Sequence, residues 1–237
     1  MGLLVDGIWQ DKWYDTSENG GKFERQASKF RGTIGGEAGA EHPPESGRYH
    51  LYVAYACPWA HRALILRQLK GLTEHIDVSV VNPDMLGDGW SFSDYPGSTG
   101  DKLYHFDYLH QLYTKAKHDV TTRVTVPVLW DKQTQSIVNN ESADIIRIFN
   151  SDFNALTGDE QDFYPAPLRE DIDDINKMVY HAINNGVYKA GFATTQRAYE
   201  EAVEDLFEAL DTLETRLSTQ RYLVGHQITE ADWRLFT

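Results

Sequence analysis

Apolar and polar positions fall into a regular order from residue 48 onward. Tyr49–Val53 is a short apolar, β-leaning run that predicts a strand. Trp59, Ala63, Leu66 and Leu69 then recur at helical spacing, and Gly71 is a fitting terminator, so residues 59–70 read as a helix. Residues 76–81 predict a second strand, and a strand, helix and strand of this length form a βαβ unit with a parallel pair. Residues 82–122 are a long insert with Gly87, Gly89, Gly97 and Gly100, followed by a helix-like run carrying Phe106, Leu109, Tyr113 and Ala116. Connections of that length are often functional. The sheet resumes in Val124-Thr125-Val126-Pro127-Val128-Leu129-Trp130, where the proline marks an edge, a bulge or a cis bond. Residues 131–136 form a polar turn and Ile137-Val138 a return strand. Asn139-Asn140-Glu141-Ser142 then caps a helix carrying Ile145, Ile146 and Phe149.

The order βαβ, then ββα, predicts a thioredoxin-like α/β domain over residues 48–150. Residues 151–167, with Asn154, Gly158, Pro165 and Pro167, read as a linker. Residues 168–237 have a helical period throughout. Leu168, Ile172, Ile175, Val179 and Ile183 line one helix, and Val203, Leu206, Leu210, Leu213 and Leu217 line a second. A third helix starts at Thr229, a natural N-cap with Asp232 in its first turn and Ile228 and Trp233 placed as a hydrophobic staple. That signal promises more than the two turns left before Thr237, so the expectation is an all-α C-terminal domain that is truncated and incomplete. Residues 1–47 read as an irregular N-terminal extension. They are rich in glycine, charge and aromatics (Trp9, Trp13, Tyr14, Phe23, Phe30) and able to wrap across a domain or an active-site mouth.

Composition narrows the function classes. A chain of 237 residues can bury a proper core in one or two domains. Acidic residues outnumber basic ones 36 to 22, for a formal charge of -14, which argues against nucleic acid or an anionic membrane as partner. No apolar run reaches the roughly 18 residues of a membrane span. The start, Met1-Gly2-Leu3-Leu4-Val5-Asp6, lacks the basic segment of a secretory signal. A single cysteine excludes an intramolecular disulfide and fits a reducing compartment, so the expected location is the cytoplasm. The nine histidines show no compact ligand spacing, and no metal is expected. Gly35-Gly36 lacks the strand and the lysine of a phosphate loop.

The candidate chemistry centres on that one cysteine, Cys57, where the first strand hands over to the first helix. Pro58 suits the first helical turn, because its missing N–H is an unsatisfied donor position there. The sulfur is thus placed at a helix N-terminus, where unpaired N–H groups and the helix dipole favour negative charge. An ordinary thiol titrates near ~8.5, and such placement can lower that to between about 3.5 and 7.5. The alternative for any lone cysteine is an inert small hydrophobe; the Cys-Pro pair at this junction favours the reactive reading. The position of a second, resolving cysteine is occupied by Ala60. A mixed disulfide on Cys57 must therefore be cleared by an external thiol, which points to a small-molecule thiol as co-substrate. His61, a helical turn beyond Cys57, is read as packed or solvent-facing rather than as a hydrolase partner.

These features together resemble the glutathione transferases: a βαβ–ββα domain, a cysteine before its first helix, a Val-Pro pair, a Glu-Ser pair and a helical second domain. Cys57-Pro58-Trp59-Ala60 resembles their omega-like cysteine subgroup. Four stretches resemble the glutathionyl-hydroquinone reductases, or Xi class: Gly89-Trp90-Ser91-Phe92, residues 123–131, Asn140-Glu141-Ser142 and Asn185-Gly186-Val187-Tyr188-Lys189-Ala190-Gly191. The resemblance implies glutathione as co-substrate, glutathionylated quinols as substrates and a homodimer. It implies Cys57 and Tyr188 as catalytic residues, Tyr188 as proton donor/acceptor. It implies Trp90, Arg123, Val124, Thr125, Val126, Glu141 and Ser142 as glutathione-binding residues. Val126, ahead of a cis peptide, would pair with the cysteinyl backbone by strand addition. Glu141 would take the γ-glutamyl ammonium, and Ser142 with the helix-start N–H groups its carboxylate. Arg123 would bind or steer the anionic tripeptide, and Trp90 would wall the thiol site.

Each has a plainer reading: Glu141 and Ser142 as a helix cap, Val126 and Pro127 as ordinary edge residues, Trp90 as core, Arg123 as a solvated charge, Tyr188 as a linker-end aromatic. Their joint fit to one ligand favours the functional one. The expected reaction is reduction of a glutathionyl-hydroquinone through a Cys57–glutathione mixed disulfide, with release of glutathione disulfide. Alternatives are an omega-like thioltransferase or dehydroascorbate reductase, and a non-catalytic interaction module. A conventional conjugating transferase needs Ser or Tyr at this position to stabilise the glutathione thiolate without bonding to it.

Overall fold

The computed structural model describes residues 2–37 and 39–237. The chain divides into two compact units. One holds the residues up to Trp13 together with Ala27–Gln161; the other holds Tyr14–Gln26 and Asp162–Thr237.

The first unit opens with the antiparallel pair β1 (Leu3–Val5) and β2 (Ile8–Gln10). There follow β3 (Tyr49–Val53), α1 (Pro58–Leu69), β4 (Asp77–Val80), α2 (Leu109–Ala116) and β5 (Thr122–Arg123). The unit is completed by β6 (Val128–Asp131), β7 (Ser136–Asn139), α3 (Ser142–Ser151) and the short α4 (Asn154–Thr157). The main sheet has the order β4-β3-β6-β7. β3 runs parallel to β4 and antiparallel to β6, and β7 returns antiparallel. This is the expected βαβ–ββα arrangement. β3 is buried at every position, as its place between two neighbours requires, and its histidine, His50, is hydrogen-bonded to Ser79 Oγ at 2.8 Å. α1 ends at Gly71, whose left-handed φ of 66° lets its N–H turn back to the Gln68 carbonyl.

Three sequence readings differ from the structure. Residues 1–47, read as irregular, contain β1 and β2, and β1 also pairs with β5 in a separate three-stranded sheet. Residues 124–130, read as one strand, are a strand only from Val128. β5 ends at Arg123 in the small sheet, residues 124–127 lie outside both strands, and pairing in the main sheet begins at Val128, after Pro127, which has no N–H for a ladder. Residues 151–167, read as a linker, are partly built into the first unit. Lys70 is buried at the end of α1, and its ammonium donates to the Asp159 carbonyl (3.1 Å), the Asp159 carboxylate (3.2 Å) and the Gln161 carbonyl. Three donors with three acceptors account for an ammonium held out of water.

The second unit is all-helical: α5 (Arg169–Met178), a π-helical stretch (Val179–Asn184), α6 (Gly186–Gly191), α7 (Gln196–Leu217) and α8 (Glu230–Phe236). Ile172, Ile175, Val179 and Ile183 form its core with Leu213 and Ala231. The expected stripe on α7 is corrected. Leu210 and Leu217 are 38% and 40% exposed, and the helix buries Ala198, Ala202, Ala209 and Leu213. Thr229 caps α8 as expected, with the Asp232 carboxylate accepting its backbone N–H at 2.8 Å. Among the described residues no helix is long and apolar enough to cross a membrane.

One buried ion network closes the end of β6. The Asp131 carboxylate accepts Arg48 Nη2 at 2.6 Å and Nε at 2.9 Å, lies 2.8 Å from His42 Nδ1, and accepts the Gln133 N–H at 2.8 Å. Burial pushes the carboxyl up, but Arg48, His42 and the two turn N–H groups outweigh it and hold the group down at about 2. A depressed folded-state pKa gives stability that is fully present above the unfolded value of about 4 and lost as pH falls through the folded one. Asp131→Asn is expected to cost about 3–5 kcal/mol at neutral pH, the usual result of stranding a buried partner. In urea melts at successive pH values, its gap from the parent should stay constant above about pH 4 and narrow toward pH 2.

Candidate active site

Cys57 is the N-cap of α1, with extended backbone (φ -98°, ψ 115°) and Pro58 as the next residue. Its carbonyl accepts the N–H groups of Ala60 and His61, which starts the helix, and its own N–H is tied to the Ala54 carbonyl. The thiol is 9% exposed and donates to the Val126 carbonyl at 3.6 Å. The sulfur thus faces the end of the 124–127 segment, ahead of a cis Val126–Pro127 peptide. His61 is exposed, so the first helical turn carries it to the outer face. Arg62, one residue on, is buried; its guanidinium stacks over the Trp59 ring at 4.7 Å and reaches Ser142 Oγ at 3.5 Å.

The 124–127 segment is held from below by Tyr113 of α2. The phenol donates to the Thr125 carbonyl (2.8 Å), accepts the Thr125 N–H (3.3 Å) and accepts Asn140 Nδ2 (3.2 Å). Val124 and Val126 are buried on either side of the half-buried Thr125.

Glu141 is the N-cap of α3 and Ser142 its first residue. Glu141 Oε1 accepts the Ala143 N–H at 3.2 Å and Oε2 accepts the Ser28 hydroxyl at 2.9 Å. A carboxylate offers about four lone-pair sites, so the cap and Ser28 leave room for an ammonium. Capping and ligand binding are compatible here. Ser142 is buried, with its hydroxyl toward Arg62.

A strap from the N-terminal segment lies along this turn. Gly32 N–H donates to the Val138 carbonyl (2.8 Å), Asn140 N–H to the Phe30 carbonyl (3.0 Å), and Asn139 Nδ2 to the Gly32 carbonyl (2.9 Å). Arg31 pairs with Asp144. A Cβ on Gly32 would stand 2.7 Å from the Val138 carbonyl oxygen, so only glycine permits this approach.

Arg123 is not a solvated charge. It is 8% exposed, and its guanidinium donates to the carbonyls of Lys12 and Trp13. Trp90 is buried, and its carbonyl accepts the Leu109 N–H that begins α2. Tyr188 lies on α6 of the second unit. Arg25 lies 4.4 Å over its ring and donates from Nε to Asn185 Oδ1 at 2.7 Å, while Phe23 and Phe192 flank it. The structure thus brings Cys57 to Val126, and Ser142 to Arg62 on the cysteine's own helix. Ser28, Arg62, Tyr113 and Asn140 are absent from the sequence-derived site. Tyr113 stands on the helical stripe and Asn140 beside the cap, but neither pattern names a partner across the fold.

A thioredoxin-like sheet with a cysteine at the first helix N-terminus, a cis-proline edge and a separate helical unit is the arrangement of the glutathione transferases. Residues 56–152 match the glutathione S-transferase N-terminal domain family and residues 196–237 the C-terminal domain family. The glutathionyl-hydroquinone reductase YqjG of Escherichia coli is 56% identical, the match covering 100% of this chain and 74% of that protein. The glutathionyl-hydroquinone reductase PcpF of Sphingobium chlorophenolicum is 53% identical over the same shares, 100% and 74%. The Xi-class transferase structure from Natrialba magadii superposes with a TM-score of 0.91 at 49% identity, covering 100% of this chain and 71% of that one. The glutathione-bound structure of YqjG gives 0.88 at 49% identity, covering 99% and 73%. The chain belongs to the glutathione transferase superfamily and, within it, to the Xi-class glutathionyl-hydroquinone reductase family.

Glu141→Gln keeps the size of the side chain and an acceptor for the Ala143 N–H while removing the charge. Charged hydrogen bonds contribute about 1.5–3 kcal/mol, so with the ammonium-binding role that the resemblance implies for Glu141, glutathione affinity measured by calorimetry should fall roughly tenfold or more. The melting temperature should move little.

Proposed function

We propose that this protein reduces glutathionyl-hydroquinones to hydroquinones at the expense of glutathione. The observation that carries the proposal is the placement of the chain's one cysteine. Cys57 is the N-cap residue of α1 and its sulfur faces the Val126 carbonyl, and Ala60 stands where a resolving thiol would be. Val126, with Val124 and Thr125, presents an edge for the cysteinyl backbone of glutathione. Glu141 takes the γ-glutamyl ammonium, and Ser142 with the α3 N-terminus its carboxylate. Arg123 keeps the anionic tripeptide in a favourable field from a buried position, and Trp90 walls the thiol.

The Cys57 thiolate attacks the sulfur of the bound glutathionyl-hydroquinone. A sulfur–sulfur bond forms, the aryl carbon–sulfur bond breaks, and the aryl carbon takes a proton, which we assign to the Tyr188 hydroxyl. Hydroquinone leaves and Cys57 remains as a mixed disulfide with glutathione. A second glutathione thiolate attacks that disulfide, releasing glutathione disulfide and restoring the Cys57 thiolate. The two electrons that reduce the aryl carbon come from two glutathione sulfurs. This chemistry belongs in a reducing, glutathione-rich compartment, so the cytoplasm is part of the same reading, as is a homodimer, which light scattering on the purified protein checks.

Mixing the protein with one equivalent of a glutathionyl-hydroquinone should add one glutathionyl group to Cys57 by mass spectrometry and release hydroquinone in a single burst. Cys57→Ala should lose both. Unmodified Cys57 together with undiminished turnover in Cys57→Ala would refute the mechanism. Conjugation of glutathione to a simple electrophile should be far slower than deglutathionylation.

A further inference from the structure

The insert between β4 and β5 carries α2, and α2 delivers one phenol to a point beneath the glutathione-binding residues. Tyr113 is completely buried, and its hydroxyl uses its one proton and both lone pairs: outward to the Thr125 carbonyl, inward from the Thr125 N–H and from Asn140 Nδ2. Burial pushes its titration upward, so the phenol stays protonated and keeps donating. Thr125 immediately precedes Val126, and Asn140 immediately precedes Glu141. Asn140 is fixed in turn from the strap: its Oδ1 accepts the Phe30 N–H (3.1 Å), its own N–H donates to the Phe30 carbonyl (3.0 Å), and the Phe30 ring packs edge-on against Tyr113. One oxygen atom therefore joins the segment facing the sulfur to the turn that carries the carboxylate.

We propose that Tyr113 is a positioning residue that holds these two arms at a fixed separation, and so sets the preference for a complete γ-glutamyl tripeptide over its truncated form. This rests on the glutathione-binding roles proposed above for Val126 and Glu141. In one molecule of glutathione the γ-glutamyl side chain fixes how far the ammonium can stand from the cysteinyl backbone. The cysteinyl backbone and the γ-glutamyl ammonium can be met together only if the two arms keep that spacing. A ligand without the γ-glutamyl group touches one arm and is indifferent to it.

The test compares the affinity of the reduced full chain for glutathione and for cysteinylglycine by calorimetry. Tyr113→Phe should weaken glutathione roughly tenfold, the equivalent of about 1.4 kcal/mol. Cysteinylglycine should weaken by less than about twofold, so that the ratio of the two affinities falls. Asn140→Ser cuts the same link from the other side, leaves the Tyr113–Thr125 clamp in place, and should lower the ratio similarly; it serves if Tyr113→Phe does not fold. Tyr104→Phe, which removes a buried-side hydroxyl bonded to Trp130 Nε1 in the same unit, should leave the ratio unchanged. Equal weakening of both ligands, an unmoved ratio, or an equal fall in Tyr104→Phe overturns the role of Tyr113 while leaving the proposed reaction standing. A parent chain that neither binds glutathione nor forms the Cys57 adduct sinks both.

Discussion

Pro127 has no N–H to donate, and much of the first unit follows from that. The apolar run 124–130 enters the main sheet only at Val128, as β6, while β5, the two residues just before the run, pairs in the small sheet. The segment between them cannot be absorbed into a ladder, so its backbone groups need other partners. Thr125 finds the Tyr113 phenol, and the Val126 carbonyl meets the Cys57 thiol. The same break leaves this segment beside the N-terminus of α1.

Around that segment, groups with strong hydrogen-bonding demands are buried with their demands met. Asp131, Lys70, Tyr113 and Asn140 each sit out of water, with acceptors or donors that match their inventory. Such networks tie distant parts of the chain together. Lys70 fastens the segment after α4 to the end of α1, Asp131 fastens residues 42 and 48 to the end of β6, and Asn140 fastens the strap at Phe30 to the α3 turn. Partly satisfied, they would be liabilities; complete, they hold the sheet ends and the site loops in one arrangement.

The reaction asks little of the protein beyond placement. In the mechanism proposed above, a thiolate, a sulfur in line with it, a proton for the departing carbon and a second thiol suffice, and glutathione supplies the reducing power. Cys57 stands at the start of α1 facing the Val126 carbonyl, and Glu141 at the start of α3. The N-termini of α1 and α3 both favour negative charge for the same physical reason.

Much of this is written locally in the chain. The βαβ–ββα order, Cys57 at a strand-to-helix junction, Pro58 in the first turn, the terminator at Gly71 and the cap at Thr229 follow from periodicity and capping chemistry, which act over a few residues. The absence of a resolving cysteine is equally plain. Long-range pairing was not legible. No local pattern says that β1 will meet β5, that residues 28–32 will run along β7, or that α7 will bury its alanines and leave Leu210 and Leu217 outside. Arg123 reads as a charge but lies buried against backbone carbonyls, and Tyr113 reads as one more apolar position on a helix yet anchors Thr125 and Asn140. The sequence by itself determined where Cys57, Pro127 and Glu141 fall relative to helix starts and strand breaks, because these are set by neighbours along the chain. Only the tertiary structure decided what those residues touch, because a buried donor takes whichever acceptor folding brings to it.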